Sequence, residues 1–127
     1  MSAEVVLADT SVWVDHFRNG NRKLAGLLNN DTIACHPFII GELACGNLKN
    51  RNEILTLLHS LEMINTAENA EVLHFIEKHG LMGKGLGLID MHLLSSALIG
   101  NALLWTLDKK LHNEAKRLTC DFTMSAI

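Results

Sequence analysis

The chain has 127 residues, of which 48% are hydrophobic and 20% are charged. This length is typical of one domain, and the apolar fraction allows a packed core and excludes a disordered chain. The formal net charge is -3 and tyrosine is absent, which excludes a global basic field and argues against a base-stacking surface. Binding to nucleic acid would therefore depend on local Lys and Arg side chains or on bound cations.

The chain alternates short apolar strands with helices, and turn residues separate them. Strands that alternate with helices favour a parallel sheet covered by helices, in one domain over residues 1–127. The predicted elements, in chain order, are a strand at 5–8, helices at 11–18 and 22–28, a strand at 32–35, helices at 37–46 and 52–59, a strand at 62–64, a helix at 67–78 capped by Thr66, a glycine-rich loop at 80–87, a helix at 90–99, a strand at 103–106, a helix at 109–117 and an edge strand at 118–120.

Cysteine use and hydropathy indicate the compartment. Cys35, Cys45 and Cys120 are odd in number and lack the C-x-x-C spacing of a zinc or redox site. The start of the chain does not resemble a signal peptide, and no apolar run is long enough to cross a membrane. We therefore expect a cytoplasmic protein with reduced thiols and no membrane association.

Four acidic residues stand out because each follows or interrupts an apolar segment. Asp9 follows Val-Val-Leu-Ala, Asp108 follows Leu-Leu-Trp-Thr-Leu, and Glu42 and Asp90 are the only acids in nearly apolar helices. Removing an ionised carboxylate from water costs several kcal/mol unless a partner compensates the charge. A shared divalent cation would compensate all four acids, and hard oxygen ligands select Mg²⁺ or Mn²⁺.

The predicted topology allows these acids to converge. Sites in open α/β sheets form beyond the carboxyl ends of the strands, where Asp9 and Asp108 are expected. Glu42 and Asp90 lie early in helices that would begin at the same edge. Each acid also has an ordinary alternative: Asp9 and Asp108 as turn or cap residues, and Asp90 as a first-turn acid favoured by the helix dipole. Glu42 is the hardest to explain in this way.

Four segments together resemble the PIN-domain family, in particular the VapC-type toxins of bacterial toxin–antitoxin pairs. Their order, their spacing and the chain length all agree with the family. The segment after Asp108 departs from it, because Lys-Lys-Leu-His stands where relatives often carry another acid and an aromatic residue. The four segments are Leu7-Ala8-Asp9-Thr10-Ser11-Val12-Trp13-Val14-Asp15, Gly41-Glu42-Leu43-Ala44-Cys45-Gly46, the stretch from Gly87 to Ala97 around Asp90, and Leu104-Trp105-Thr106-Leu107-Asp108-Lys109-Lys110-Leu111.

The resemblance implies a three-layer α/β/α fold with a parallel five-stranded sheet of order 3-2-1-4-5. It also implies an endoribonuclease that depends on Mg²⁺ or Mn²⁺, with Asp9, Glu42, Asp90 and Asp108 as catalytic metal ligands. A cognate antitoxin and a homodimer are implied as well. We expect the homodimer and the partner to use an apolar helical face, either the one with Ile39, Ile40 and Leu43 or residues of the following helix. The expected supporting residues are the hydroxyls of Thr10, Ser11 and Thr106, which would orient the carboxylates or the scissile phosphate, and the RNA-contacting cations Arg18, Arg22, Lys23, Lys84, Lys109 and Lys110.

Two other functions remain open at this point. One is a housekeeping nuclease for RNA maturation, although the short chain favours the toxin. The other is a PIN scaffold that has lost turnover and acts with an antitoxin on operator DNA. A pure binding scaffold would not need four retained acids, which favours the enzyme.

Overall fold

A computed structural model describes residues 4–123 of the chain, which form four short strands and seven helices. None of these helices is long and apolar enough to cross a membrane. The elements are β1 (Val6–Ala8), α1 (Thr10–Asn19), α2 (Arg22–Asn29), β2 (Ile33–Cys35), α3 (Pro37–Cys45), α4 (Arg51–Ser60), β3 (Glu62–Met63), α5 (Asn69–His79), α6 (Leu88–Ile99), β4 (Leu103–Trp105) and α7 (Lys109–Arg117).

The strands form one parallel sheet in the order β3-β2-β1-β4. In β1, Val6 is paired with Ile33 of β2 on one side and with Leu103 of β4 on the other. All three residues of β1 are buried, as expected for a strand inside a parallel sheet that is covered on both faces. The predicted α/β class with a parallel sheet is therefore confirmed.

The sheet differs from the prediction at its β4 edge. A fifth strand at 118–120 was expected, but α7 extends to Arg117 and only a single parallel bridge joins Leu104 to Asp121. Thr119 has a φ of 61°, and this left-handed conformation interrupts an extended path. Within residues 4–123 the sheet thus has four strands in the order 3-2-1-4, and the prediction of five is wrong for this part of the chain.

The start of α5 is a second correction. Thr66 does not cap this helix, which begins at Asn69 with Glu68 as its N-cap. The side chain of Glu71 accepts a hydrogen bond from the Glu68 backbone N–H at 2.9 Å, as in a capping box. Ala67 lies outside the helix, and its N–H donates to Ser96 Oγ of α6 at 3.1 Å. A tertiary contact therefore takes the place of the first predicted turn.

The core explains why one expected contact surface is wrong. Ile39, Ile40 and Leu43 of α3 were expected to contribute to a homodimer face, but all three are buried in the core of the chain itself. They belong to the same buried cluster as the residues of β1 and as Trp13 of α1, which is fully buried. These three side chains are buried when the chain folds, so they are not available to contact a second copy.

Candidate active site

Asp9 lies at the centre of the candidate site, directly after β1. Its backbone N–H donates to the carbonyl of Trp105 in β4 at 2.9 Å, which extends the sheet pairing to the residue that begins the site. Asp9 is also the N-cap of α1, because its Oδ1 accepts from the Ser11 N–H at 3.0 Å and from the Ser11 hydroxyl. The expected cap role is thus present, but a cap is usually solvated and Asp9 is only 6% exposed.

The burial of Asp9 has an electrostatic consequence. Removal from water raises the pKa of its carboxyl above the usual range, and the hydrogen bonds from Ser11 and Thr106 oppose that rise. A carboxylate in this position is under-compensated when it is charged. This is the condition in which a bound cation stabilises an acid most.

Thr106, the residue after β4, links two of the acids. Its hydroxyl donates to Asp9 Oδ2 at 2.7 Å and accepts from the Asp108 backbone N–H at 3.0 Å. Asp108 is exposed and is the N-cap of α7, with Oδ1 accepting from the Lys110 N–H at 2.8 Å. One hydroxyl therefore fixes the buried acid and the start of the segment that carries the exposed acid.

Asp90 lies in the first turn of α6, where its Oδ2 accepts from the Gly87 N–H at 3.2 Å. Partial burial raises the pKa of its carboxyl, and the negative charge of Asp108 raises it further. The two carboxylates are therefore close enough to repel each other. Asp90 on α6 and Asp108 at the start of α7 are 18 positions apart in the sequence, yet the charge of one affects the ionisation of the other.

Glu42 completes the set from α3. Its side chain is exposed, and Oε1 accepts a hydrogen bond from the Thr10 hydroxyl at 2.6 Å. Thr10 is the residue after Asp9, so Glu42 is tied to the same edge of the sheet. Unlike Asp9 and Asp108, Glu42 caps no helix, and this contact gives it no structural role that a neutral residue could not fill.

The acids carry little compensation from basic side chains. Over residues 4–123 the only ion pair with Lys or Arg joins Arg117 to Glu114, on α7. In the same part of the chain, no three Asp, Glu, His or Cys side chains lie close enough together to hold a metal ion. The acids are thus neighbours along one edge of the sheet. Hydroxyl groups contact some of them, and Asp90 and Asp108 repel each other, but the acids do not surround a common point.

The predicted RNA-contacting cations are distributed unequally. Lys110 lies against Gly85, where an added methyl group would be only 3.1 Å from its Cδ and Nζ atoms. Lys84 and Lys109 are exposed on the glycine-rich loop and at the start of α7. Lys23 lies over the Phe122 ring, 5.8 Å from its centroid, and this contact provides a structural role for its side chain.

Arg18 lines a groove of about 880 Å³ that Thr10 and Glu42 also line. The groove extends between α1, α3 and α4, and Lys49 adds a second cation to it. Sequence reasoning selected Arg18 but missed Lys49, because Lys49 lies in the connection between α3 and α4 and belongs to no motif. His36, which belongs to none of the motifs either, is 1% exposed and caps α3. A histidine directly before a helix-starting proline was the available signal.

The fold and the acidic edge define a class: an α/β protein with carboxylates at the carboxyl ends of parallel strands. The family model of the PIN domain matches residues 6–117. The chain therefore belongs to the PIN-domain family, as the sequence motifs indicated.

Relatives in two strains of Mycobacterium tuberculosis, CDC 1551 / Oshkosh and H37Rv, are both named Ribonuclease VapC32. Each is 44% identical to this chain over 108 residues, which is 84% of this chain and 87% of the relative. The recognition of a VapC-type sequence is thereby confirmed. The crystal structure of PAE2754 from Pyrobaculum aerophilum has a TM-score of 0.61 at 16% identity and covers 87% of this chain and 79% of that chain. At this identity the likeness supports the fold alone.

Proposed function

We propose that this protein is a metal-dependent endoribonuclease that hydrolyses RNA phosphodiester bonds and acts as the toxin of a toxin–antitoxin pair. One observation carries the proposal. Asp9, Glu42, Asp90 and Asp108 come from four separate elements, and hydroxyl contacts or charge connect each to another part of the same edge. The name of the mycobacterial relatives supports RNA as the substrate.

The donor set fits Mg²⁺ or Mn²⁺ in its chemistry. Carboxylate oxygens are hard ligands, and burial raises the pKa of Asp9 and of Asp90, which disfavours their charged forms until a cation is bound. Because three acids do not yet converge, we expect ligation to draw side chains together by rotation, with the exposed Glu42 and Asp108 moving most. Bound there, a divalent cation would lower the pKa of a water molecule and stabilise charge on the phosphate.

The side chains around the acids would set the geometry of this reaction. Ser11 and Thr106 hold the two oxygens of Asp9 in fixed directions, which pre-orients a ligand before the cation arrives. Thr10 does the same for Glu42. Lys110 would contact the RNA backbone from its place on Gly85, and Arg18 would contact it from the groove beside Glu42.

Four further properties belong to the proposal. We propose a single PIN domain over residues 1–127, a cytoplasmic location, a cognate antitoxin and a homodimer. The free state of Cys35, Cys45 and Cys120 supports a reducing compartment. The VapC-type resemblance supports the antitoxin and the homodimer, whose contact face must lie outside the buried residues of α3.

Cleavage assays test the enzyme. Purified protein should cleave RNA with Mg²⁺ or Mn²⁺ and should stop when EDTA is added. Readdition of the metal should restore cleavage, which separates ligand removal from denaturation. Full cleavage in EDTA would contradict the proposal.

Toxicity is tested through the partner. Expression in a bacterial host should arrest growth, and co-expression of a short adjacent reading frame that encodes a DNA-binding protein should relieve the arrest. Growth without arrest, by a protein that cleaves RNA in vitro, would indicate a housekeeping nuclease instead.

A further inference from the structure

His36 occupies an unusual position at the end of β2. Its side chain is 1% exposed, and Nδ1 accepts a hydrogen bond from the Phe38 backbone N–H at 2.9 Å. A ring nitrogen that accepts in this way carries no proton, so the proton of a neutral imidazole must be on Nε2. The capping contact thus determines the tautomer.

The protonated nitrogen faces a second helix. His36 Nε2 lies 3.4 Å from Ser96 Oγ in α6, and the same oxygen accepts from the Ala67 N–H at 3.1 Å. Ser96 is fully buried. One imidazole therefore joins the start of α3 to the last turn of α6, and through Ser96 to the segment before α5.

A second contact between α3 and α6 indicates how the two helices run relative to each other. The ring of Phe38 meets that of His92 edge-on, with centroids 4.7 Å apart. From His36 to Phe38 the partner on α6 changes from Ser96 to His92, so α3 advances toward the end of α6 that carries Asp90. Glu42 lies six residues after His36 and Asp90 six residues before Ser96, or ~9 Å along each helix axis.

We propose that His36 is a positioning residue that sets Glu42 relative to Asp90 by fastening α3 to α6 through Ser96. This inference rests on the proposed function, because it assigns a role toward the metal-binding acids. Common cap residues such as Ser, Asp and Asn would satisfy the Phe38 N–H but are too short to reach Ser96 as well. Histidine makes both contacts with its two ring nitrogens.

Burial supports the neutral form that this role requires. Desolvation lowers the pKa of His36 to about 4, and the nearby His92 lowers it as well. At neutral pH the ring therefore keeps one acceptor and one donor. Protonation would turn Nδ1 into a donor facing another donor, the Phe38 N–H.

Two substitutions separate the capping contact of His36 with the Phe38 N–H from its contact with Ser96, which we call the bridge. His36→Asn keeps an acceptor for the Phe38 N–H and loses the contact with Ser96. Ser96→Ala keeps the cap and the imidazole and removes the contact with His36 from the other side, so it serves if His36→Asn folds poorly. It also removes the acceptor of the Ala67 N–H, so its loss of stability is compared with that of the control variant. Val72→Ala, in the buried face of α5, is the control for destabilisation alone.

Binding of Mn²⁺ is measured by calorimetry without RNA, beside thermal unfolding in EDTA. We expect both bridge variants to bind Mn²⁺ about tenfold more weakly than Val72→Ala, at temperatures where all three are folded. Their half-saturating Mn²⁺ concentration for RNA cleavage should rise in the same ratio. If the bridge variants bind Mn²⁺ as tightly as Val72→Ala, His36 is structural only and the inference is overturned. If the wild type itself binds no Mn²⁺, the proposed function fails and this inference fails with it.

Discussion

Asp9 and His36 make an instructive pair. Each directly follows a strand of the parallel sheet, caps the next helix and is almost completely buried. Burial disfavours the charged form of both, so it raises the pKa of Asp9 and lowers that of His36. The local structure is the same, and the surroundings differ.

The surroundings decide what each group can do. His36 meets neutral partners, Phe38 N–H and Ser96 Oγ, and is fully satisfied when uncharged. Asp9 is also well hydrogen-bonded, but the edge on which it lies carries further acids. A buried group with neutral partners positions the fold, whereas a buried acid in an acidic setting is suited to bind a cation.

The largest effect should follow removal of charge from the acidic edge. We predict that Asp9→Asn and Asp90→Asn each lower RNA cleavage by about 100-fold or more, since loss of an outer partner alone costs about 10–100-fold in such sites. Both should melt in EDTA at the wild-type temperature or higher, because each removes a charge that burial disfavours. Cleavage assays and thermal melts on the same preparations measure both effects.

Glu77→Gln, an exposed change on α5, is the control for loss of one negative charge. It should leave cleavage unchanged. Active Asp9 and Asp90 variants with lowered melting temperatures would mean that these acids are helix caps and nothing more.

The next effect concerns pH and His36. Its folded-state pKa of about 4 is below the ordinary value of 6.5, so the unfolded chain binds the proton first as pH falls. The contribution of His36 is complete above pH 6.5 and is lost as pH falls toward 4. Between about pH 7 and pH 5 the loss should be about 2 kcal/mol in the free energy of unfolding.

Urea unfolding of wild type and His36→Asn across this range measures that loss, because all titratable groups other than His36 are common to the two chains. The wild-type curve should fall more steeply by this amount. Parallel curves would show that His36 titrates normally and is not held neutral by the fold.

A smaller effect is expected at Thr106, the hydroxyl shared by Asp9 and Asp108. Thr106→Val keeps the shape, removes the hydrogen bond to Asp9 and leaves the Asp108 N–H without its acceptor. We predict about a tenfold loss of kcat. Thr106→Ser keeps the hydroxyl and should retain most activity; equal activity of the Val variant would show that this hydroxyl does not orient Asp9.

The smallest effect tests the position of the Lys110 side chain against Gly85. Gly85→Ala and Gly20→Ala both place a side chain at positive φ, 80° and 75°, and each should lose about 1 kcal/mol of stability. Only Gly85→Ala also presses on Lys110, because nothing lies within 4 Å of the added methyl at Gly20. RNA affinity, measured by filter binding, should fall two- to threefold in Gly85→Ala alone; equal affinities would remove Lys110 from the RNA contact.

Local patterns were sufficient to predict most elements and to select the four acids as candidate site residues. Apolar runs predicted the four strands that form, and the carboxyl-end rule for parallel sheets predicted that Asp9 and Asp108 lie at one edge. The start of α5 was missed because the Ala67 N–H finds its acceptor on α6, 29 residues away, which no window around Thr66 can show. The prediction of a fifth strand was wrong because Thr119 adopts a left-handed conformation that β-branched residues rarely take.

The sequence by itself determined the family and the parallel α/β class and selected the four acids as candidates, because these depend on residue type, order and periodicity. Only the tertiary structure decided which groups share a partner: that Thr106 links Asp9 to Asp108, and that His36 reaches Ser96 from another helix. Hydrogen bonds depend on distance and direction within about an ångström. Contacts between residues 60 or 97 positions apart therefore exist only after the sheet and its helices have packed.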